Sequence, residues 1–228
     1  MINSRKNYVI ACARPWCQSL ITKLKKKIDA ELTLINSAET LTVEILKKIN
    51  PRYIFFAHWS HNIPEDIHSK YECVIFHMTD LPYGRGGSPL QNLIVQGHNE
   101  TILSALQCKK ELDAGPVYLK ERLSLHGSAE EIYIRAANQI ESMIITIIKE
   151  TPMPVEQKGE VVNFKRRTTE QGDWSDAQSL EEVFNRIRML DAEGYPQAFI
   201  RIGEYKLKFS RVSRRTTHLI ADVTITKE

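Results

Sequence analysis

The sequence has 228 residues, 42% of them hydrophobic and 26% charged, with a formal net charge of +3. These proportions exclude disordered, collagen-like and disulfide-scaffold classes and leave a soluble chain long enough for a sizeable core. The charge is too balanced to mark a nucleic-acid binder by itself.

The longest apolar run, Met143 to Ile148, is interrupted by Thr146 and falls far short of the ~20 residues of a spanning helix. The opening Met1-Ile2-Asn3-Ser4-Arg5-Lys6 lacks the apolar stretch of a signal peptide, so the chain reads as cytoplasmic and without a membrane partner. Its four cysteines, Cys12, Cys17, Cys73 and Cys108, then read as free and buried. His58-x-x-His61 has metal-compatible spacing, but no carboxylate or cysteine completes a site, so no metal is assigned.

In chain order, strands are expected over 8–13, 32–35, 53–57, 73–77, 101–108 and 117–123, from their apolar, β-branched and aromatic content. Helices are expected over 17–29, 42–49 and 88–95, with Ser88 as cap and Pro89 in the first turn. A long helix follows from Ser128 to about Lys149, opened by a Ser128/Glu131 capping box. Strands alternating with helices mean an α/β layer fold with a largely parallel, Rossmann-like sheet over 1–150. Thr151-Pro152-Met153-Pro154 opens a linker over 151–160. Residues 161–228 then form a small C-terminal α+β or barrel-like subdomain. It has a strand over 161–165, a helix over 179–190 and strands near 199–202, 205–209 and 219–225.

The first strand is followed by Cys12-Ala13-Arg14-Pro15-Trp16-Cys17, without a glycine. Dinucleotide and ATP phosphates need glycines there for close backbone approach, so those chemistries recede. Open α/β sheets bind ligands at the carboxyl ends of their strands. His77 ends the fourth strand, and Asp113 follows the fifth in Asp113-Ala114-Gly115. Converging there, they would suit proton transfer and transition-state electrostatics, although a strand-end histidine also serves structure alone.

At these residues the chain resembles the folate-dependent formyltransferases. The family motif runs Asn-x-His, Leu-Pro-x-x-Arg-Gly-x-x-Pro, then a downstream Asp-x-Gly. His77, Leu81, Pro82, Arg85, Gly86 and Pro89 fall in register, and Asp113 lies 36 residues after His77. One position departs: Ile75 stands where the family has Asn, and Ile cannot hydrogen-bond a developing oxyanion. Asn62 and Thr79 are weak substitutes.

The stretches Phe164 to Trp174 and Arg188 to Phe199 look most like sugar-nucleotide N-formyltransferases of the pseudaminic acid pathway. The resemblance implies N-formyl transfer from 10-formyltetrahydrofolate to a nucleotide-linked amino sugar, such as a UDP-4-amino-4,6-dideoxy sugar. It sets nucleic acid aside as a partner and is compatible with a homodimer. A methionyl-tRNA formyltransferase-like enzyme, its basic surface drawn from Lys23 to Lys27 and Arg211 to Arg215, is the alternative reading. A non-catalytic folate or nucleotide-sugar binding protein is another.

By the same resemblance His77 would stabilise the tetrahedral oxyanion, and Asp113 would orient it or relay the proton of the attacking amine. That amine must be neutral, so activity should fall in acid. The pterin would dock at His58, Trp59 and Ser60 and at Lys109 and Leu112. Arg166 and Arg167 would hold the diphosphate, with Tyr195 on the base and Arg85 near the substrate. Trp59 and Tyr195 also suit core packing, and Arg85 also suits holding the glycine turn.

Overall fold

The computed structural model describes residues 6–228, apart from the side chains of Cys17 and Gln18; residues 1–5, where the signal-peptide reading begins, lie outside it. In order, the elements are β1 (Asn7–Ala11), α1 (Cys17–Lys27), β2 (Glu31–Ile35), α2 (Val43–Ile49), β3 (Tyr53–Phe56), α3 (Glu65–His68) and β4 (Cys73–His77). β5 (Tyr83–Gly86), α4 (Pro89–Val95), β6 (Glu100–Gln107), β7 (Val117–Ser124) and α5 (Ala129–Glu150) follow. The chain ends with β8 (Val162–Phe164), a 3₁₀ turn (Thr169–Gly172), α6 (Leu180–Arg188), β9 (Ala198–Ile202), β10 (Tyr205–Arg214) and β11 (Leu219–Lys227).

The fold is α/β, with a mostly parallel central sheet flanked by helices and a C-terminal antiparallel sheet. The central sheet has six strands in the order β2-β1-β3-β4-β6-β7. β1 runs parallel to β2 and β3, and β3 to β4, while β4 meets β6 antiparallel, with His77 opposite Ser104. β1 and β3 are buried on both faces, which explains their continuous apolar runs. The core on one face gathers Val9, Ala11, Phe56, Ile63, Ile67 and Cys108.

The chain divides into two compact units. The first comprises residues up to Arg85, Ile102–Arg122 and Arg135–Val162; the second comprises Gly86–Thr101, Leu123–Ile134 and Asn163–Glu228. In the second unit β9, β10 and β11 form an antiparallel sheet of three strands, with a register shift between Ser210 and Ser213.

Local chemistry fixes several boundaries. Thr42 and Ser179 accept from the third helical N–H of α2 and α6, as caps do. The capping box opening α5 is present: Ser128 N–H donates to Glu131 and Glu131 N–H donates to Ser128 Oγ. Ser88 departs from its expected role. It sits at φ 51°, makes no cap bond, and its Oγ accepts from Arg167 N–H at 3.0 Å. Cys73 and Cys108 are buried free thiols as expected, whereas Cys12 is disulfide-bonded and the side chain of Cys17 lies outside the described residues. Among the described residues no helix is long and apolar enough to cross a membrane.

Candidate active site

β4 carries Cys73, Ile75 and His77 on one face, by the two-residue period of a strand. His77 lies at the carboxyl end and is 7% exposed. Its Nε2 is 2.8 Å from the carbonyl of Gly84, which can only accept, so Nε2 carries a hydrogen. Its Nδ1 faces Asp113 Oδ2 at 3.6 Å, with both side chains buried. That spacing is an electrostatic contact just beyond hydrogen-bond length, and such pairs commonly tighten when substrate binds.

The turn after β4 presents the Gly84 carbonyl. Leu81–Pro82 is cis, and Thr79, fully buried, sends its hydroxyl to the same carbonyl at 3.2 Å. Thr79 thus supports the turn, and Asn62 is exposed. Ile75 is partly buried and packs on the core cluster that contains Phe56, Ile63 and Cys108. Asp113 adopts φ 52°, a left-handed conformation that aspartate tolerates better than most residues. Two residues on, the chain passes so close to β6 that a Cβ at Gly115 would run into the carbonyl of Gln107. That approach accounts for the glycine of Asp-x-Gly.

Arg85 joins this cluster. Its guanidinium, 12% exposed, reaches Glu111 at 3.3 Å and the side-chain oxygen of Gln157 at 2.8 and 3.1 Å. Gln157 in turn donates to the carbonyls of Asp113 and Gly115. The sequence reading missed Gln157, because a glutamine in a Pro-rich polar segment carries no periodic or motif signal.

The residues expected at the pterin lie in the same unit. His58, at φ 50°, follows β3, and burial together with the Arg14 charge pushes its imidazole down to about 3. Trp59 packs edge-on to Phe56 and His61, and its indole N–H is buried without an acceptor. Ser60, Lys109 and Leu112 are exposed. Trp59 leaves an orphan donor and Leu112 an apolar side chain that is 66% exposed, groups of the kind a planar acceptor-bearing ligand would use.

The residues expected at the diphosphate and base fall in the second unit and are described within it. Arg167 donates to the carbonyl of Gln171 at 3.2 Å, and burial with the nearby Arg186 charge holds its pKa below the usual arginine value. Arg166 is exposed. Gly86, at φ 105°, approaches Phe164 so closely that a Cβ would strike its carbonyl oxygen. Tyr195 stacks on Tyr133 at 5.5 Å, the hydroxyls 2.8 Å apart, and lines a depression of about 480 Å³ with Phe199, Lys206 and Lys208. Arg188 is buried and donates to the carbonyls of Leu125 and Gly127. Arg167, Tyr195 and Arg188 each make contacts within the second unit.

Comparison with known proteins corrects the acceptor. Residues 169–226 match the family described as methionyl-tRNA formyltransferase, C-terminal domain. A methionyl-tRNA formyltransferase from Rickettsia massiliae is 25% identical over 173 residues, covering 73% of this chain and 57% of that protein, so the chain spans little more than half of such relatives. A sugar N-formyltransferase structure from a Shewanella species superposes with TM-score 0.69 at 12% identity, covering 93% of this chain and 99% of that one, and shares the fold alone. The structure of a methionyl-tRNA formyltransferase from Clostridium thermocellum superposes with TM-score 0.95 at 45% identity, covering 98% of this chain and all of that one. These findings overturn the sugar-nucleotide and pseudaminic-acid reading, and with it the exclusion of nucleic acid as a partner. The chain belongs to the methionyl-tRNA formyltransferase family.

Proposed function

We propose that this protein transfers a formyl group from 10-formyltetrahydrofolate to the α-amine of methionyl-tRNA. The observation that carries the reading is the buried His77–Asp113 pair at the carboxyl end of β4, set in a motif in register with the family's own. The donor supplies an activated one-carbon unit, and the rest of the chemistry falls to the chain. The Nε2–H of His77, which donates to the Gly84 carbonyl in this structure, is the group that would turn to the negative charge developing on the formyl oxygen, a contribution that electrostatic preorganisation makes large in a dry site. Asp113 orients the ring through Nδ1 and offers a base for the proton that the attacking amine must shed. Trp59 and Leu112 supply a donor and apolar cover for the pterin.

An RNA acceptor needs exposed cations. Several that the sequence offered are already paired: Lys23 and Lys27 with Glu141, Arg211 with Asp222, and Arg214 with Glu181. Lys25 and Lys26 in the first unit, and Lys165, Arg166 and Arg215 in the second, are exposed, carry no acidic partner among the described residues and are the candidates for phosphate contact.

The test incubates the protein with 10-formyltetrahydrofolate and initiator methionyl-tRNA and weighs the released aminoacyl nucleoside. A gain of one formyl group, with tRNA binding that weakens steeply as salt rises, supports the proposal. Unmodified methionyl-tRNA in the presence of bound folate removes it.

A further inference from the structure

We infer that Gln157 is a positioning residue for Asp113, an inference that rests on the formyl-transfer reading of the site. After α5 the chain runs through Pro152 and Pro154, and Val155 then exchanges backbone hydrogen bonds of 2.8 and 2.9 Å with Val117 on β7. Two residues on, Gln157 is half-buried and every hydrogen-bonding site of its amide is used. The oxygen accepts from Arg85 Nε at 3.1 Å and from its terminal nitrogen at 2.8 Å. The nitrogen donates to the carbonyl of Asp113 at 2.7 Å and to that of Gly115 at 2.8 Å. Guanidinium only donates and carbonyls only accept, so this amide orientation is dictated by its partners.

The loop it grips has little backbone support of its own. Sheet pairing ends at Gln107 N–H to Pro116 O on the β7 side and at Cys108 N–H to Cys73 O, 2.8 Å, on the β4 side; beyond that, among the described residues, the loop's own backbone bond is Ala114 N–H to Glu111 O at 3.3 Å. Asp113 itself sits at φ 52°. Arg85 also holds the same loop, through Glu111. Gln157 thus ties a segment that reads as a linker to the backbone that aims the Asp113 carboxylate at His77 Nδ1.

The closing experiment has two arms in the full chain. Hydrogen exchange follows the backbone amides of residues 109–116 in wild type, Gln157→Ala and Gln157→Glu. Exchange should quicken by about tenfold in both variants while the sheet amides hold, since the loop loses two of its few anchors. Gln157→Glu keeps the acceptor for Arg85 and sets a carboxylate oxygen against the two carbonyls, so it guards against a collapse peculiar to the alanine. Single-turnover formylation should fall roughly 10- to 100-fold in each variant, with the KM for methionyl-tRNA within about twofold, the scale of a misplaced catalytic group. In an Asp113→Ala background the same changes should cost less than about twofold, because the residue being aimed is gone. Unchanged exchange overturns the inference, and so does a loss that multiplies fully onto Asp113→Ala. Faster exchange in a protein whose wild type leaves methionyl-tRNA unmodified upholds the grip on the loop and removes the formyl-transfer reading instead.

Discussion

Asp113 combines two separable demands, and substitution can pull them apart. Its carboxylate lies 3.6 Å from His77 Nδ1, and its backbone is left-handed at φ 52°. Asn keeps the shape and tolerates that backbone but removes the charge. Gly tolerates it freely and removes the side chain. Ala removes the side chain and must hold a Cβ in a region that costs roughly 1–2 kcal/mol. All three should slow formyl transfer by at least ~100-fold, the scale of losing a general base. Only Ala should also lower the thermal midpoint clearly, by roughly 2–8 °C for a chain of this size, from about 2–4 °C per kcal/mol. The assay pairs single-turnover formylation with thermal unfolding on the same preparations. An Asn variant within tenfold of wild type would show that the carboxylate is not used, and an Ala variant as stable as Asn would show that the backbone carries no strain there.

Other expectations follow from the same geometry. Arg188→Ala strands the buried carbonyl of Leu125, the part-buried one of Gly127 and the side chain of Asn185, which accepts from its Nε at 2.8 Å; it should cost about 2–4 kcal/mol in urea unfolding, and a loss under 1 kcal/mol would contradict that packing. His58 is held neutral in the fold with a value of about 3, against 6.5 ordinarily. Between those values the unfolded chain binds the extra proton, so stability drops as pH falls through the window, by at most about 1.4 kcal/mol per pH unit. His58→Asn, which suits φ 50°, should flatten that slope, and an unchanged slope would assign the acid sensitivity elsewhere. Ile75→Asn removes a side chain from the core cluster and should cost about 1–2 kcal/mol. Yet it sets an amide on the face of β4 that carries His77 and should raise the formylation rate, whereas a slower variant would place Ile75 away from the reacting oxygen.

Much of the fold was legible because its elements obey simple periods. β1 and β3, buried on both sides, read as continuous apolar runs, and α5 announced its start with a capping box. β5 escaped notice because Tyr83-Gly84-Arg85-Gly86 has neither β-branched content nor alternation. The Ser88 cap failed because a left-handed residue aims its hydroxyl elsewhere, here at the Arg167 N–H. His77 and Asp113 were legible only through motif spacing, since nothing in periodicity brings a loop after β6 onto the end of β4. The grip of Gln157 was invisible for the same reason: it is a long-range contact between side chain and backbone. The acceptor was misread because the stretches that resembled sugar enzymes, which contain Arg188 and Tyr195, carry no signal specific to an acceptor; the relatives supply it.

The measurement that tests the account most directly is single-turnover formylation of initiator methionyl-tRNA by wild type and His77→Ala, side by side at saturating 10-formyltetrahydrofolate. The account predicts formyl-methionyl-tRNA from the wild type and a rate at least ~100-fold lower from the variant, with its fold intact. Equal rates, or no product from the wild type, would contradict it.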